Sequence, residues 1–316
     1  MTVYNCSMVD DVVCVEWLDR NKEHVVILDA TYDLKGKPDY IEFKETYYGQ
    51  FEMLMKIKTS FSETYAKEHI PGATLFNCDV AYYPSQYVRF DLYPPKEFEK
   101  YVRLLGINSG DHIVIYSRGA YGGMIWAARV WWTFKVYGHN KVSVLDGGLD
   151  AWKKAGKKVT SDVAFKQALT GDAAHIQHGN WSAKPIDSEQ IITFEELYEK
   201  RPGEKSLFED LAKINYLDAR PAAQFSGGTL FHLRGAKNMP LDEIADDDGL
   251  KSAESIEEAL EKVGYDDSLP TVTGCAGGVQ ACLLALAVRH AGVQARLFNG
   301  SLCEVSQRAP QLINGR

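Results

Sequence analysis

The sequence predicts an α/β protein made of two tandem copies of one unit, each a largely parallel sheet flanked by helices. Three observations carry that expectation. The chain has 316 residues, enough for about two domains, and its 45% hydrophobic and 25% charged residues are ordinary globular composition. Short β-rich runs alternate with helix-patterned stretches, the signature of parallel strands joined by crossover helices. A set of landmarks also occurs twice in the same order.

The first landmark is the run Val25-Val26-Ile27-Leu28-Asp29-Ala30, whose ending returns in Ile214-Asn215-Tyr216-Leu217-Asp218-Ala219. His69-Ile70-Pro71-Gly72-Ala73 is answered by His232-Leu233-Arg234-Gly235-Ala236, with Asp79 and Asp242 following at equal distance. Gly106 and Gly264 each stand eleven residues before Ser117 and Cys275, and the strand-like runs 113–116 and 270–273 lie between. Each copy closes with a strand and a turn, Val142 to Gly147 and Ala295 to Gly300.

These spacings give a first domain over 8–160, a linker over 161–190 and a second domain over 191–316. The linker loses all periodicity, yet Phe165 and Trp181 need apolar cover, so a strap on the surface is expected rather than disorder. Thr193 reads as a helix N-cap with Glu196 as its capping-box partner. Trp126, Trp131, Trp132 and Phe134 have the spacing of a buried helix face.

Charge and cysteine usage exclude several function classes. Thirty-five basic against 43 acidic residues leave a net charge of −8, without the basic footprint that nucleic-acid binding needs. The longest apolar stretch, Ala281 to Val288, is far shorter than a membrane span, so no membrane partner is expected. The first residues carry neither a secretory nor an Arg-rich transit pattern, and six scattered cysteines form no C-x-x-C pair; both point to a reducing, cytoplasmic setting. Cys6, Cys14, Cys78, Cys282 and Cys303 read as packing or surface residues. His175-x-x-His178 lacks further ligands for a metal, and Asp246-Asp247-Asp248-Gly249 lacks the spaced oxygens of a calcium loop.

One segment carries chemistry. Thr271 to Cys282 runs strand, tight loop, helix, with Cys275 at the strand's end and Gly277 and Gly278 behind it. In open α/β sheets ligands sit at the carboxyl ends of strands. The glycines allow the backbone to curl round the sulfur, so that amides from Ala276 through Gly277, Gly278, Val279 and Gln280 converge on it at a helix N-terminus. Such surroundings lower a thiol's pKa from about 8.5 to roughly 3.5–7.5 and make it a nucleophile.

On these residues the chain resembles the tandem-domain rhodaneses, the thiosulfate and 3-mercaptopyruvate sulfurtransferases, over essentially its whole length. The Asp29-Ala30 and Asp218-Ala219-Arg220 strand ends, His69 to Ala73, Val130-Trp131-Trp132, Gly138-His139, Leu145-Asp146-Gly147-Gly148 and the Cys275 loop carry the likeness. The resemblance implies two rhodanese-like domains, the first without a nucleophile (Ser117 facing Cys275) and the second catalytic. It implies no metal or organic cofactor. Arg220 corresponds to an arginine that holds the substrate carboxylate, with a structural ion pair to a carboxylate such as Asp218 as the other reading, and His69 has a counterpart assigned to proton relay, although a structural turn is the simpler reading. Arg89, in the aromatic loop Tyr82 to Tyr93, is a second cationic candidate reaching across the interdomain cleft.

The loop departs from both specific patterns. Thiosulfate-type members resemble Cys-Arg-Lys-Gly-Val-Thr and mercaptopyruvate-type members Cys-Gly-Ser-Gly-Val-Thr, whereas this chain has Cys275-Ala276-Gly277-Gly278-Val279-Gln280. With no cation after the cysteine to meet a sulfonate, mercaptopyruvate is the expected donor and thiosulfate the alternative. The family's Gly-Ser-Trp is Gly300-Ser301-Leu302 here, so an aromatic pocket wall is expected to be missing. The expected partners are a small-molecule sulfur donor and a thiol acceptor, thioredoxin-like or small. A cysteine phosphatase of related fold would close its loop with an arginine, and position 281 is alanine. A drifted, non-catalytic binding protein is the remaining alternative.

Overall fold

The computed structural model describes residues 10–162, 178–200, 202–227 and 231–314. Two five-stranded sheets organise it. The first contains β1 (Val12–Val13), β2 (Val26–Asp29), β3 (Thr74–Leu75), β4 (Ile113–Tyr116) and β5 (Val142–Leu145) in spatial order β1-β5-β4-β2-β3. The second contains β6 (Ile191–Ile192), β7 (Asn215–Asp218), β8 (Lys237–Asn238), β9 (Thr271–Gly274) and β10 (Ala295–Phe298) in the order β6-β10-β9-β7-β8. The orders are identical and every pairing is parallel. The duplicated landmarks are therefore a duplicated topology.

Register fixes what the strand ends present. Tyr116 pairs with Asp29 in the first sheet, and Gly274 pairs with Asp218 in the second. The residues next along the chain, Ser117 and Cys275, thus leave the central strands at equivalent points. Both central strands are buried along their length, as strands covered on two faces must be.

After each central strand the chain turns into a long apolar helix, α1 (Met124–Val136) and α2 (Gln280–His290). These helices pack on one another, and the largest hydrophobic core draws residues from both units, Trp131 and Phe134 with Leu283 and Leu286 among them. A helix apolar nearly all round has to be buried on all sides. That requirement makes the two units one body.

The described end of the linker is a strap on the first unit. Trp181 is fully buried against Phe98 and Phe134, with its indole N–H on His139 (3.2 Å) and Arg103 on its carbonyl (2.7 Å). Phe165 and His175 lie outside the described residues. Thr193 caps the helix Phe194–Tyr198 in a capping box with Glu196. Trp126, Trp131, Trp132 and Phe134 are all buried. Asp246 to Gly249 form the turn of a small antiparallel hairpin.

One ion cluster ties the start of the described chain to both long helices. Asp11 accepts from Lys135 of α1 (2.7 Å), Arg289 of α2 (2.6 Å) and the Trp131 indole (3.2 Å). Burial pushes the Asp11 carboxyl up, and Lys135 and Arg289 more than reverse this, leaving its pKa below the ordinary value. A depressed carboxylate contributes stability above its unfolded pKa of about 3.9 and loses it as pH falls through the folded value. Asp11→Asn strands the buried Lys135 ammonium without an anion, and we expect a loss of about 3 kcal/mol. Denaturant midpoints at neutral pH measure it, and the gap to wild type should close as the pH is lowered through the acid range.

Candidate active site

Cys275 leaves the end of β9 almost wholly buried, 2% exposed. The Gly278 amide donates to its sulfur at 3.1 Å, and α2 begins two residues later at Gln280. Gly278 has φ +79°, and a side chain there would run into the backbone carbonyl of Asn299. This glycine is what allows the loop to close. Gly277 faces open space with an ordinary φ, so the expectation that both glycines are needed for the curl holds for Gly278 alone. The expected convergence of amides from Ala276 through Gln280 also reduces, among the described residues, to the single Gly278 donor.

The start of the next helix holds the loop in place. In α3 (Ser301–Arg308), the Ser301 hydroxyl accepts the Cys275 amide (3.1 Å), and the amides of Leu302 and Cys303 donate to the carbonyls of Cys275 (3.1 Å) and Ala276 (2.8 Å). Ser301 adopts a left-handed φ of 48°, rare for a residue with a side chain, which aims its hydroxyl at the loop. Below, Gly274 has no side chain because the Tyr216 hydroxyl fills the space where one would stand.

Behind the loop lies a fully buried arginine of the other unit. Arg129 of α1 donates to the carbonyl of Gly278 (3.1 Å), the Oδ1 of Asn299 (2.7 Å) and the carbonyl of Phe90 (2.7 Å), and the Asn299 amide also reaches Phe90 (3.1 Å). Its guanidinium stacks on the rings of Tyr82 and Trp132, each at 4.8 Å. Cys282 lies beside this group, its thiol donating to Gly278 (3.1 Å); burial pushes its pKa up to about 12. Cys282 is a core residue, as its position on α2 predicts.

The charged candidates are placed less uniformly. Arg220 is 2% exposed and held by Asp218, with Nε at 3.0 Å and Nη2 at 2.7 Å from the carboxylate, while Nη1 reaches the Gln224 carbonyl (3.3 Å). The strand-end aspartate thus orients the arginine. Arg89, expected to reach across to the second unit, is bound instead to Tyr32 (3.0 Å) and Asp79 (3.3 Å) of its own unit and lies on the Phe90 ring. His69 packs at a tilt against the Tyr65 ring, shares its Nδ1 with the Tyr65 carbonyl (2.7 Å) and pairs by backbone with Thr160. That is the structural turn, apart from the Cys275 constellation.

Leu302, which replaces the tryptophan, is buried in the core of the second unit. Cys303, read as a bystander, stands beside the loop with partial exposure. Burial, then the Cys275 thiolate, raise its pKa; Lys37 of the first unit and Arg220 oppose them. In the first unit, the Ser117 hydroxyl is satisfied by the Gly123 carbonyl and Arg118 pairs with Asp29 (3.2 Å), which closes the equivalent loop on itself.

Comparisons with known proteins give the family and the fold. The family model for the rhodanese-like domain matches residues 51–155 and 202–307, one copy in each unit. The chain belongs to the rhodanese sulfurtransferase family. It is 38% identical over 309 residues to the putative thiosulfate sulfurtransferase mpst-1 of Caenorhabditis elegans, covering 93% of this chain and 91% of that protein. It is 30% identical to the mouse 3-mercaptopyruvate sulfurtransferase, over 81% of this chain and 83% of that one. The structure of Escherichia coli SseA, described as a 3-mercaptopyruvate sulfotransferase of rhodanese fold, superposes with a TM-score of 0.71 over 93% of this chain and 99% of SseA, at 22% identity.

Reading this sulfurtransferase by motif missed Arg129, Asn299 and Ser301. Arg129 sits inside a run otherwise assigned to the core. Asn299 and Ser301 flank Gly300 at the end of β10, the strand beside β9, and that adjacency was the available signal. Gly278→Ala forces a side chain into the Asn299 carbonyl at a left-handed φ, so sulfur-transfer activity should fall about a hundredfold or more, roughly 3 kcal/mol of barrier. Gly277→Ala should stay within about twofold of wild type. Steady-state assays with melting curves on both variants check the contrast.

Proposed function

We propose that this sulfurtransferase moves sulfane sulfur from 3-mercaptopyruvate to a thiol acceptor through a persulfide on Cys275, releasing pyruvate. The observation that carries the reading is the Cys275 sulfur at the end of the central strand, facing the Gly278 amide and the N-terminus of α2. Those donors stabilise negative charge on the sulfur both before attack and after transfer. In the step proposed, the Cys275 thiolate attacks the donor's sulfur. The carbon–sulfur bond breaks with its pair left on carbon as the pyruvate enolate, which then takes up a proton. Arg220, oriented by Asp218, supplies the cation for the donor's carboxylate. An acceptor thiol, thioredoxin-like or small, collects the outer sulfur.

Thiosulfate is the second reading, and one observation favours it. Lys37, from the loop before the helix Tyr40–Thr46 of the first unit, acts electrostatically on Cys303 beside the nucleophile loop, and on this reading it supplies the cation that is missing after Cys275. Its ammonium donates to the Gln86 carbonyl at 2.6 Å.

Pyruvate and sulfide release from 3-mercaptopyruvate with a dithiol, beside thiosulfate with cyanide, separates the two, with Cys275→Ser as blank. Cys275→Ser should abolish transfer from either donor. Mercaptopyruvate should lead in kcat/KM by about a hundredfold; a lead for thiosulfate that collapses in Lys37→Ala establishes the second reading instead. Arg220→Lys should raise KM for mercaptopyruvate about tenfold, the cost of one charged hydrogen bond.

A further inference from the structure

Cys303 is a second thiol at the mouth of the nucleophile loop. The amides of Leu302 and Cys303 bond in succession to the carbonyls of Cys275 and Ala276, at 3.1 and 2.8 Å. Those two bonds hold the backbone of Cys303 directly against the loop that carries Cys275. A persulfide reaches further by one more S–S bond of about 2.05 Å. The outer sulfur of a Cys275 persulfide would project from a loop to which Cys303 is bonded by its own amide.

The two thiols differ in access. Cys275 is 2% exposed, which suits a small donor and resists the thiol of a folded acceptor. Cys303 is partly exposed on the first turn of α3. Burial, then the Cys275 thiolate, push its pKa up, and Lys37 and Arg220, one from each unit, oppose that rise only in part. Among the other described cysteines, Cys78 and Cys282 are fully buried, and Cys14 lies before the first helix of the other unit.

We propose that Cys303 is a sulfur relay: it takes the sulfane sulfur from Cys275 and presents it to a protein dithiol acceptor. This rests on the Cys275 persulfide proposed above. The Cys303 thiol loses its proton to solvent, and its electron pair attacks the outer sulfur of Cys275–S–SH. A Cys303–sulfur bond forms as the Cys275–sulfur bond breaks, the pair returning to the Cys275 sulfur under the Gly278 amide. The products are Cys303–S–SH and the Cys275 thiolate. The transferred sulfur keeps its oxidation state, so no further oxidant or reductant enters.

The test uses the full chain, loaded in turn with 3-mercaptopyruvate and thiosulfate without acceptor, alkylated, and digested for non-reducing mass spectrometry. Wild type should carry one extra sulfur on the Cys303 peptide. Cys275→Ser should carry none there, and Cys303→Ser should retain it on Cys275. In Cys303→Ser the ratio of turnover with a reduced thioredoxin-like protein to turnover with cyanide should fall about tenfold. Extra sulfur confined to Cys275 in wild type, or a Cys275–Cys303 disulfide with free sulfide, overturns the relay and leaves the persulfide standing. Extra sulfur on neither cysteine overturns the persulfide reading itself.

Discussion

The active geometry depends on one buried guanidinium. Arg129 stands in the interior with carbonyl oxygens and aromatic faces for company and, among the described residues, no carboxylate in ion-pair range. A buried cation of that kind is tolerable only while each dipole around it stays in place. Its partners are Phe90 in the first unit, the Gly278 carbonyl whose amide neighbour serves the nucleophile, and Asn299 at the end of the adjacent strand. The charge therefore imposes one mutual position on three segments that are distant in sequence. The shape of the Cys275 loop is set from outside its own unit.

Around that clamp, the two copies show how one topology carries two fates. Sheet order, register and strand-end aspartates are the same in both. The difference is local. Tyr116 occupies the place of Gly274, and in the first unit the hydroxyl of Ser117 is spent on the Gly123 carbonyl. In the second unit the missing side chain at 274 admits the Tyr216 hydroxyl, and the loop amide of Gly278 is left to face sulfur. A few residues at one strand end separate a packing loop from a nucleophile's cradle.

Much of this was legible in the chain. The fold followed from repeated landmarks, because strand-end Asp-Ala pairs and the glycine-to-nucleophile spacing are local features that tertiary packing preserves. Cys275, the burial of Trp126 to Phe134 and the Thr193 cap were legible for the same reason. The partner of Arg89 was not, since a long cationic side chain chooses among carboxylates that only folding brings near, and Asp79 won; Asp218, two residues before Arg220, was within view as its ion-pair partner. Cys303 escaped because its meaning lies in two backbone hydrogen bonds to a loop that precedes it by 27 residues in sequence.

The packing of α1 against α2 has a consequence for how the protein can be divided. Each helix is apolar around its circumference and is covered on one side by the other. Freed from its companion, the second half would present a greasy ridge to water and leave the carbonyl of Gly278 and the amide oxygen of Asn299 without their donor. The first unit is therefore a permanent scaffold for the second. Substitutions in it that touch no substrate should still be felt as enzymatic defects.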